Sequence, residues 1–240
     1  MGSRWPEIWS QRPGEAGVLP VVADRHALLT HLLQADGYGS GFNALGAEDW
    51  LTAVDELARL VGMNPGEQVL EIGCGAGAFL LPLAERGLAV AGLDYSPAQI
   101  AAARRALPAG DFWVGEARDL DPRRRFDHVV SFSVFFYFPD LAYARRVIER
   151  ACAIARRTVL IGDVADAARQ EEAIAFRRGR LGEAEYATRY ARLEHLYYDR
   201  EWFSQVAAEL GWGCEIHDQQ LPGHEMGRFR FNVILRRPTS

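Results

Sequence analysis

The chain has 240 residues, is 49% hydrophobic and carries a net charge of −5, which suits one α/β domain with a sizeable core and offers no basic footprint for nucleic acid. All 27 basic residues are arginine, so a Schiff-base lysine and a phosphate-loop lysine are both missing, and ordinary pyridoxal-phosphate and P-loop chemistry are excluded. The cysteines, Cys74, Cys152 and Cys214, have neither disulfide-framework nor zinc spacing; with no apolar run of membrane-spanning length and no signal-peptide pattern, a cytoplasmic location is expected.

Residues 1–45 give little regular pattern. Trp5 and Trp9 stand at helical spacing among Pro6, Pro13 and Pro20, and Arg25–Ala35 has helical periodicity. Asp36-Gly37-Tyr38-Gly39-Ser40-Gly41-Phe42-Asn43 reads either as a flexible surface loop or as a mobile flap that carries Tyr38 or Phe42 over a ligand. A helix over Glu48–Val61 leads through the turn Asn64-Pro65-Gly66 into a short buried strand, Val69–Ile72.

That strand runs into Gly73-Cys74-Gly75-Ala76-Gly77, a glycine turn that lets the backbone bend sharply and lets a ligand lie against main-chain N–H groups at a helix start. From there strands and helices alternate. Helices are expected over Phe79–Arg86, from Pro97 (capped by Ser96) to about Leu107, and over Leu141–Ala155; strands over Ala89–Asp94, Phe112–Val114, Phe126–Phe132 and Thr158–Gly162. This alternation implies right-handed crossovers and a mostly parallel sheet covered on both faces. Residues 166–196 read as a polar, arginine-rich helical insertion interrupted at Gly179 and Gly182, ahead of a sheet helix Glu201–Leu210. Trp212–His217 and Arg228–Arg236 lack a crossover helix between them and should pair antiparallel.

The expected fold is therefore α/β: a Rossmann-like, seven-stranded, mostly parallel sheet with an antiparallel C-terminal strand, helices on both faces and a helical lid. In one domain, residues 1–47 form N-terminal helices and a flap, 48–163 the nucleotide-binding core, 164–198 the lid, and 199–240 the last helix and strand pair.

Asp94 follows Gly73 by 21 residues, the spacing of a ribose-binding carboxylate, so the turn formally satisfies a dinucleotide fingerprint. NAD and S-adenosylmethionine both carry such a ribose. Glu71, two residues before the first glycine, is poorly placed beside a pyrophosphate but well suited to a ligand bearing an ammonium and a sulfonium. Glu116, just past the third strand, can accept from an adenine amino group.

Val69-Leu70-Glu71-Ile72-Gly73-Cys74-Gly75-Ala76-Gly77 resembles motif I of class I S-adenosylmethionine-dependent methyltransferases; Asp94, Glu116-Ala117 and Ser131-Phe132-Ser133-Val134 fall where that family places its ribose acid, adenine contact and post-strand-four segment. The resemblance spans about residues 48–163. It implies that Glu71 and the backbone of Gly73, Cys74 and Gly75 hold the methionine portion, that Asp94 and Tyr95 meet the ribose end, that Glu116 and Ala117 meet adenine, and that Ser131 contacts the methionine portion from strand four. Each acid has a plainer role open to it: Asp94 as a helix-start acid, and Glu116 as a solvated loop residue with Asp119 serving instead. Cys74 reads as a small residue that fits the turn.

The acceptor is narrowed partly by absence. No Asn/Asp-Pro-Pro-aromatic motif of DNA amino-methyltransferases follows strand four, no Pro-Cys pair of cytosine-C5 enzymes occurs, and Asp163 stands without the acid cluster of metal-dependent catechol enzymes. A small-molecule acceptor methylated on O, N or C without metal, with no nucleic acid or membrane partner, is expected of a monomer or homodimer. The Ala-rich, lysine-free composition is compatible with a high-GC bacterial source and secondary metabolism. Tyr38, Phe42, Phe135, Tyr197 and Tyr198 are candidate acceptor contacts, although Phe135 and its neighbours could equally be core. His195 is the first candidate general base, with Tyr137 beside it and His217 and His224 as second choices. The lid arginines read as a solvated helical face or as a seat for an anionic acceptor. The alternatives are an NAD-dependent oxidoreductase and a cofactor-binding module that needs a partner.

Overall fold

A computed structural model describes residues 24–38, 44–191 and 193–238. Helices α1 (Arg25–Ala35) and α2 (Ala47–Val61) precede an alternating core of β1 (Gln68–Ile72), α3 (Leu80–Glu85), β2 (Ala89–Asp94), α4 (Pro97–Ala106), β3 (Asp111–Val114), β4 (Phe126–Phe132), α5 (Leu141–Ile154) and β5 (Ala155–Ala165). Helices α6 (Gln170–Leu181), α7 (Glu183–Arg189) and α8 (Arg200–Glu209) follow, then β6 (Gly213–Asp218) and β7 (Arg230–Arg236). Phe42, the Gly39–Asn43 part of the flap, Trp5, Trp9 and Arg192 lie outside the described residues.

The strands form one seven-stranded sheet in the order β3-β2-β1-β4-β5-β7-β6. β1 to β5 pair parallel, while β7 runs antiparallel between β5 and β6. Side-chain alternation along each strand feeds two cores. Val69, Val130, Leu160 and Ile234 pack beneath α1 to α4. Leu70, Ile72, Val129, Val159, Ile161 and Val233 pack beneath α5 and α8. Both faces are covered, which is why these strands read as near-continuous apolar runs.

Helix starts follow the capping chemistry in the sequence. Ser96 accepts the Gln99 amide with Pro97 at the first turn, and Asp140 accepts the Tyr143 amide at 2.7 Å. Two expectations change. Strand five does not end at Gly162: a register shift between Ile161 and Val164 puts Asp163 at φ 58° and carries the strand on to Ala165. The lid is not interrupted at Gly179, which lies inside α6; the break falls at Gly182, φ 80°, and 193–197 are neither helix nor strand, with Tyr198 bridged to Asp166.

The strand order reverses between β1 and β4. In an open α/β sheet a ligand crevice opens at such a switch point, outside the carboxyl ends of the strands.

Candidate functional site

A cavity of about 850 Å³ lies there, within the roughly 300–1,000 Å³ of small-molecule sites. Its floor is the turn after β1. Gly73, Gly75 and Gly77 have φ of 75°, 51° and 96°, a region a β-carbon disfavours. A Cβ on Gly75 would stand 2.2 Å from the carboxylate oxygen of Asp36. We expect Gly75→Ala to lower stability by about 2 kcal/mol or more, from the left-handed strain alone and then the displaced carboxylate. Urea unfolding reads this directly, and an unchanged midpoint would contradict the geometry.

The turn is not an open cradle of amides. Gly73 and Cys74 N–H donate to the Leu93 carbonyl, Gly75 N–H to Asp94 Oδ2 at 3.0 Å, and Gly77 N–H to the Cys74 carbonyl. Ala76 and Ala78 N–H both donate to Asp36, at 2.6 and 3.1 Å. Every amide from Gly73 to Ala78 is therefore satisfied within the chain, while Gly73, Cys74 and Gly75 line the cavity. Asp36 was not legible as a site residue: it ends α1, some 40 residues before the amides it binds.

What the turn presents instead is acid. Glu71 is 3% exposed and its Oε2 has no hydrogen-bond partner among the described residues. Burial, then Asp36 and Asp94, push its pKa well up. Burial also raises Asp94, offset by the N–H groups of Ser96 and Gly75. The same burial and acids keep the Cys74 thiol protonated, so Cys74 serves as the small residue the turn needs. An orphaned buried carboxyl oxygen beside two further acids fits an ammonium group and rejects a pyrophosphate.

Glu71 is also a liability to the fold. Its folded pKa lies above its unfolded one, so stability falls as pH rises from the unfolded pKa through the folded one. Glu71→Gln is expected to raise the melting temperature of the ligand-free protein by a few degrees at pH 8 and to lose that gain near pH 4. Thermal scans at both pH values check it, and a destabilised variant at pH 8 would contradict the reading.

One side of the cavity is built by the ends of β2 and β3. Asp94, Tyr95, Glu116 and Ala117 line the cavity. Glu116 Oε2 accepts from the Tyr143 hydroxyl at 3.0 Å, which fixes its direction; Asp119 is exposed and outside the lining. Ser131 is buried and its hydroxyl donates to the Ile72 carbonyl at 3.1 Å, off the cavity wall. The serine facing the cavity is Ser133, turned there by its φ of 56°.

The opposite wall comes from the ends of β4 and β5 with the lid. Tyr38 is anchored through its amide to Leu33 O at 2.8 Å and packs 4.7 Å from Trp50. Its hydroxyl meets Ser133, and burial with the Asp163 charge pushes its pKa well up. Ser133 donates to Asp163 Oδ2 at 2.5 Å, and His224 Nε2 meets Asp163 Oδ1 at 3.2 Å. Burial alone would raise the Asp163 carboxyl, but the charges of His224 and Arg230 and the hydrogen bonds from His224 and Ser133 bring it to about 2. Asp163 and Ser133 are the two non-glycine residues with positive φ among those described. Strain of that kind persists where surrounding structure fixes it, often at functional sites.

Tyr137 and His195 line the cavity, with ring centres 5.8 Å apart. His195 Nδ1 lies 2.9 Å from Arg177 Nη1. Burial, then Arg230 and Arg177, drive its pKa well down, so His195 is a neutral acceptor for Arg177. Phe135 and Tyr198 are core instead of lining, with the Tyr198 hydroxyl donating to Phe135 O at 2.8 Å. Tyr197 accepts from Arg177 Nη2 and stands outside the lining. His217 sits on β6, away from the cavity.

These features combine a Rossmann-like sheet with an acid-lined cavity at its switch point, an architecture similar to that of class I S-adenosylmethionine-dependent methyltransferases. Residues 69–157 match the methyltransferase-domain family model. The chain is 28% identical over 204 residues to a 23S rRNA uracil-1939 C5-methyltransferase of Thiobacillus denitrificans, covering 79% of this chain and 47% of that protein. It is 39% identical over 80 residues to a ubiquinone biosynthesis O-methyltransferase of Bradyrhizobium diazoefficiens, covering 32% of each. The matches thus span less than half of these relatives. Magnesium protoporphyrin IX methyltransferase from Synechocystis, solved with S-adenosylhomocysteine, shares the fold at TM-score 0.60 and 18% identity, covering 80% of this chain and 84% of that one.

Proposed function

We propose that the chain methylates a small-molecule acceptor from S-adenosylmethionine, using His224 as the general base. The observation that carries the cofactor assignment is the orphaned Glu71 Oε2 in a turn with no free amide. When bound, S-adenosylmethionine supplies an electrophilic methyl on a sulfonium. Glu71 would hold the ammonium, Asp94 the ribose hydroxyls and Glu116 the adenine amino group. Exclusion of water falls to the roof of Tyr190, Leu193 and His195 from the lid and to Tyr38 and Trp50 opposite. That roof also favours a compact acceptor over a polynucleotide.

The base role moves from His195 to His224 on geometry. An ionised Asp163 at 3.2 Å orders the imidazole with its Nε2 proton directed at the carboxylate. In the neutral tautomer that keeps this proton on Nε2, Nδ1 is the proton acceptor; it is buried and has no partner among the described residues. Tyr137 lines the same wall and would align the acceptor. Incubating the isolated chain with methyl-labelled S-adenosylmethionine and a panel of phenolic and hydroxy acids tests the reading. Acceptor-dependent release of S-adenosylhomocysteine is expected; tight NAD binding with no S-adenosylhomocysteine binding would overturn it.

A further inference from the structure

The far end of the cavity is cationic. Arg177, from α6, and Arg230, at the start of β7, line it and are 4% and 7% exposed. Arg177 directs Nη1 at His195 and Nη2 at Tyr197, and its Nε is buried without a partner among the described residues. Arg230 stacks 4.1 Å from the centre of the Phe136 ring, and its Nη1 is likewise buried and unpartnered. Neither guanidinium has a carboxylate within 4 Å among the described residues. Four other lid arginines, Arg169, Arg178, Arg180 and Arg189, pair with Glu172, Glu183, Glu225 and Glu185. Among the described lid arginines the one without a carboxylate partner is therefore Arg177, the buried one.

Asp163 shares this wall and its charge interacts with that of Arg230, but its oxygens are engaged by Ser133 and His224; one carboxylate facing two buried guanidiniums leaves the wall with a net positive charge, which is unfavourable unless an anion joins it. The neutral His195 between them supplies no negative charge; it orients Arg177. Arg230's planar fork, one face covered by Phe136 and its Nη1 without a partner among the described residues, matches an oxyanion, and Arg177 adds charge and its unpartnered Nε beside it. β7 stands three strand positions from β1, about 14 Å at the spacing of paired strands. Arg230 therefore lies well away from Glu71, beyond β4 and β5.

We infer that Arg177 and Arg230 together seat an anionic group of the acceptor, a carboxylate or a phosphate, so that the substrate is an organic acid. The assignment rests on the methyl-transfer reading of the same cavity. It also explains an otherwise apolar roof: Phe136 and Tyr190 cover the body of the acceptor while the arginines fix its acidic end.

The test uses protein labelled at histidine ring carbons and saturated with S-adenosylhomocysteine, followed by NMR. Sodium acetate, inorganic phosphate and neutral acetamide are added in turn. The expected result is a saturable shift of the His195 resonance with acetate or phosphate and none with acetamide, the tighter anion naming the acidic group. Arg230→Gln and Arg177→Gln should each weaken that anion at least tenfold. An equal response to acetamide, no saturable response, or unchanged anion affinity in both variants overturns the inference. So does anion binding that occurs only without S-adenosylhomocysteine, because the arginines would then serve the cofactor's own carboxylate. Calorimetry of S-adenosylhomocysteine on the same sample separates the two claims: its failure to bind removes the methyl-transfer reading, whatever the anion does.

Discussion

Replacing His224 by alanine is expected to cut turnover by roughly 10²–10⁴ while leaving S-adenosylhomocysteine affinity within about twofold. The size follows from removing the group that takes the proton from an acceptor hydroxyl, or from a protonated amine before its nitrogen can attack. The selectivity follows from position: His224 reaches the cavity from the loop between β6 and β7 and touches Asp163, not the glycine turn. His195→Ala should behave differently. It frees Arg177 Nη1 and should raise the acceptor KM more than it lowers kcat. A drop of less than threefold in His224→Ala, with a large one in His195→Ala, would return the base to His195.

Asp94→Ala is expected to weaken S-adenosylhomocysteine about 10- to 200-fold, the equivalent of 1.5–3 kcal/mol for a charge-assisted hydrogen bond. Asp94 has two tasks, holding the Gly75 and Ser96 amides and offering its remaining lone pairs to the cavity. The variant therefore loosens the turn as well as removing a ligand contact. Asp94→Asn separates these, since the amide keeps an acceptor oxygen while losing the charge. Its affinity should fall between parent and alanine variant. Unchanged affinity in Asp94→Ala would remove that residue from the site.

The parts of this site that were legible in the sequence are the ones encoded locally. The Glu71 to Gly77 run, Asp94 at its spacing and Glu116 past β3 each sit at a strand end, and strand ends show through apolar runs that stop at a polar residue. What failed depended on backbone direction or on long-range contact. The resemblance points to Ser131, whereas the positive φ at Ser133 turns the later serine to the cavity. Phe135 and Tyr198 share the composition of an acceptor wall yet fill the core beneath it. Asp36 reaches its amides across 40 residues, and Asp163 meets His224 across 61. No periodicity marks such a pair. Arg230 did leave a trace, as a cation opening an apolar strand, and Arg177 another, one turn after the buried Ala173 on α6. Among six lid arginines that trace was too faint to single out.

The fold was more legible than the site because burial on both sheet faces writes itself into consecutive residues. Its one substantial surprise, the extension of β5 through Asp163, is the irregularity that brings the acid into the cavity.

The claim that an acid-lined turn binds an ammonium-bearing adenosyl ligand is tested most directly by calorimetric titration with S-adenosylhomocysteine in buffers of different ionisation heat. Ammonium binding stabilises the Glu71 carboxylate, whose pKa is raised in the free protein, so binding should release a proton below that raised pKa and strengthen as pH climbs toward it. Glu71→Gln should abolish the release and weaken binding about tenfold or more. Binding with no proton release in the parent, or release unchanged in Glu71→Gln, would contradict the account.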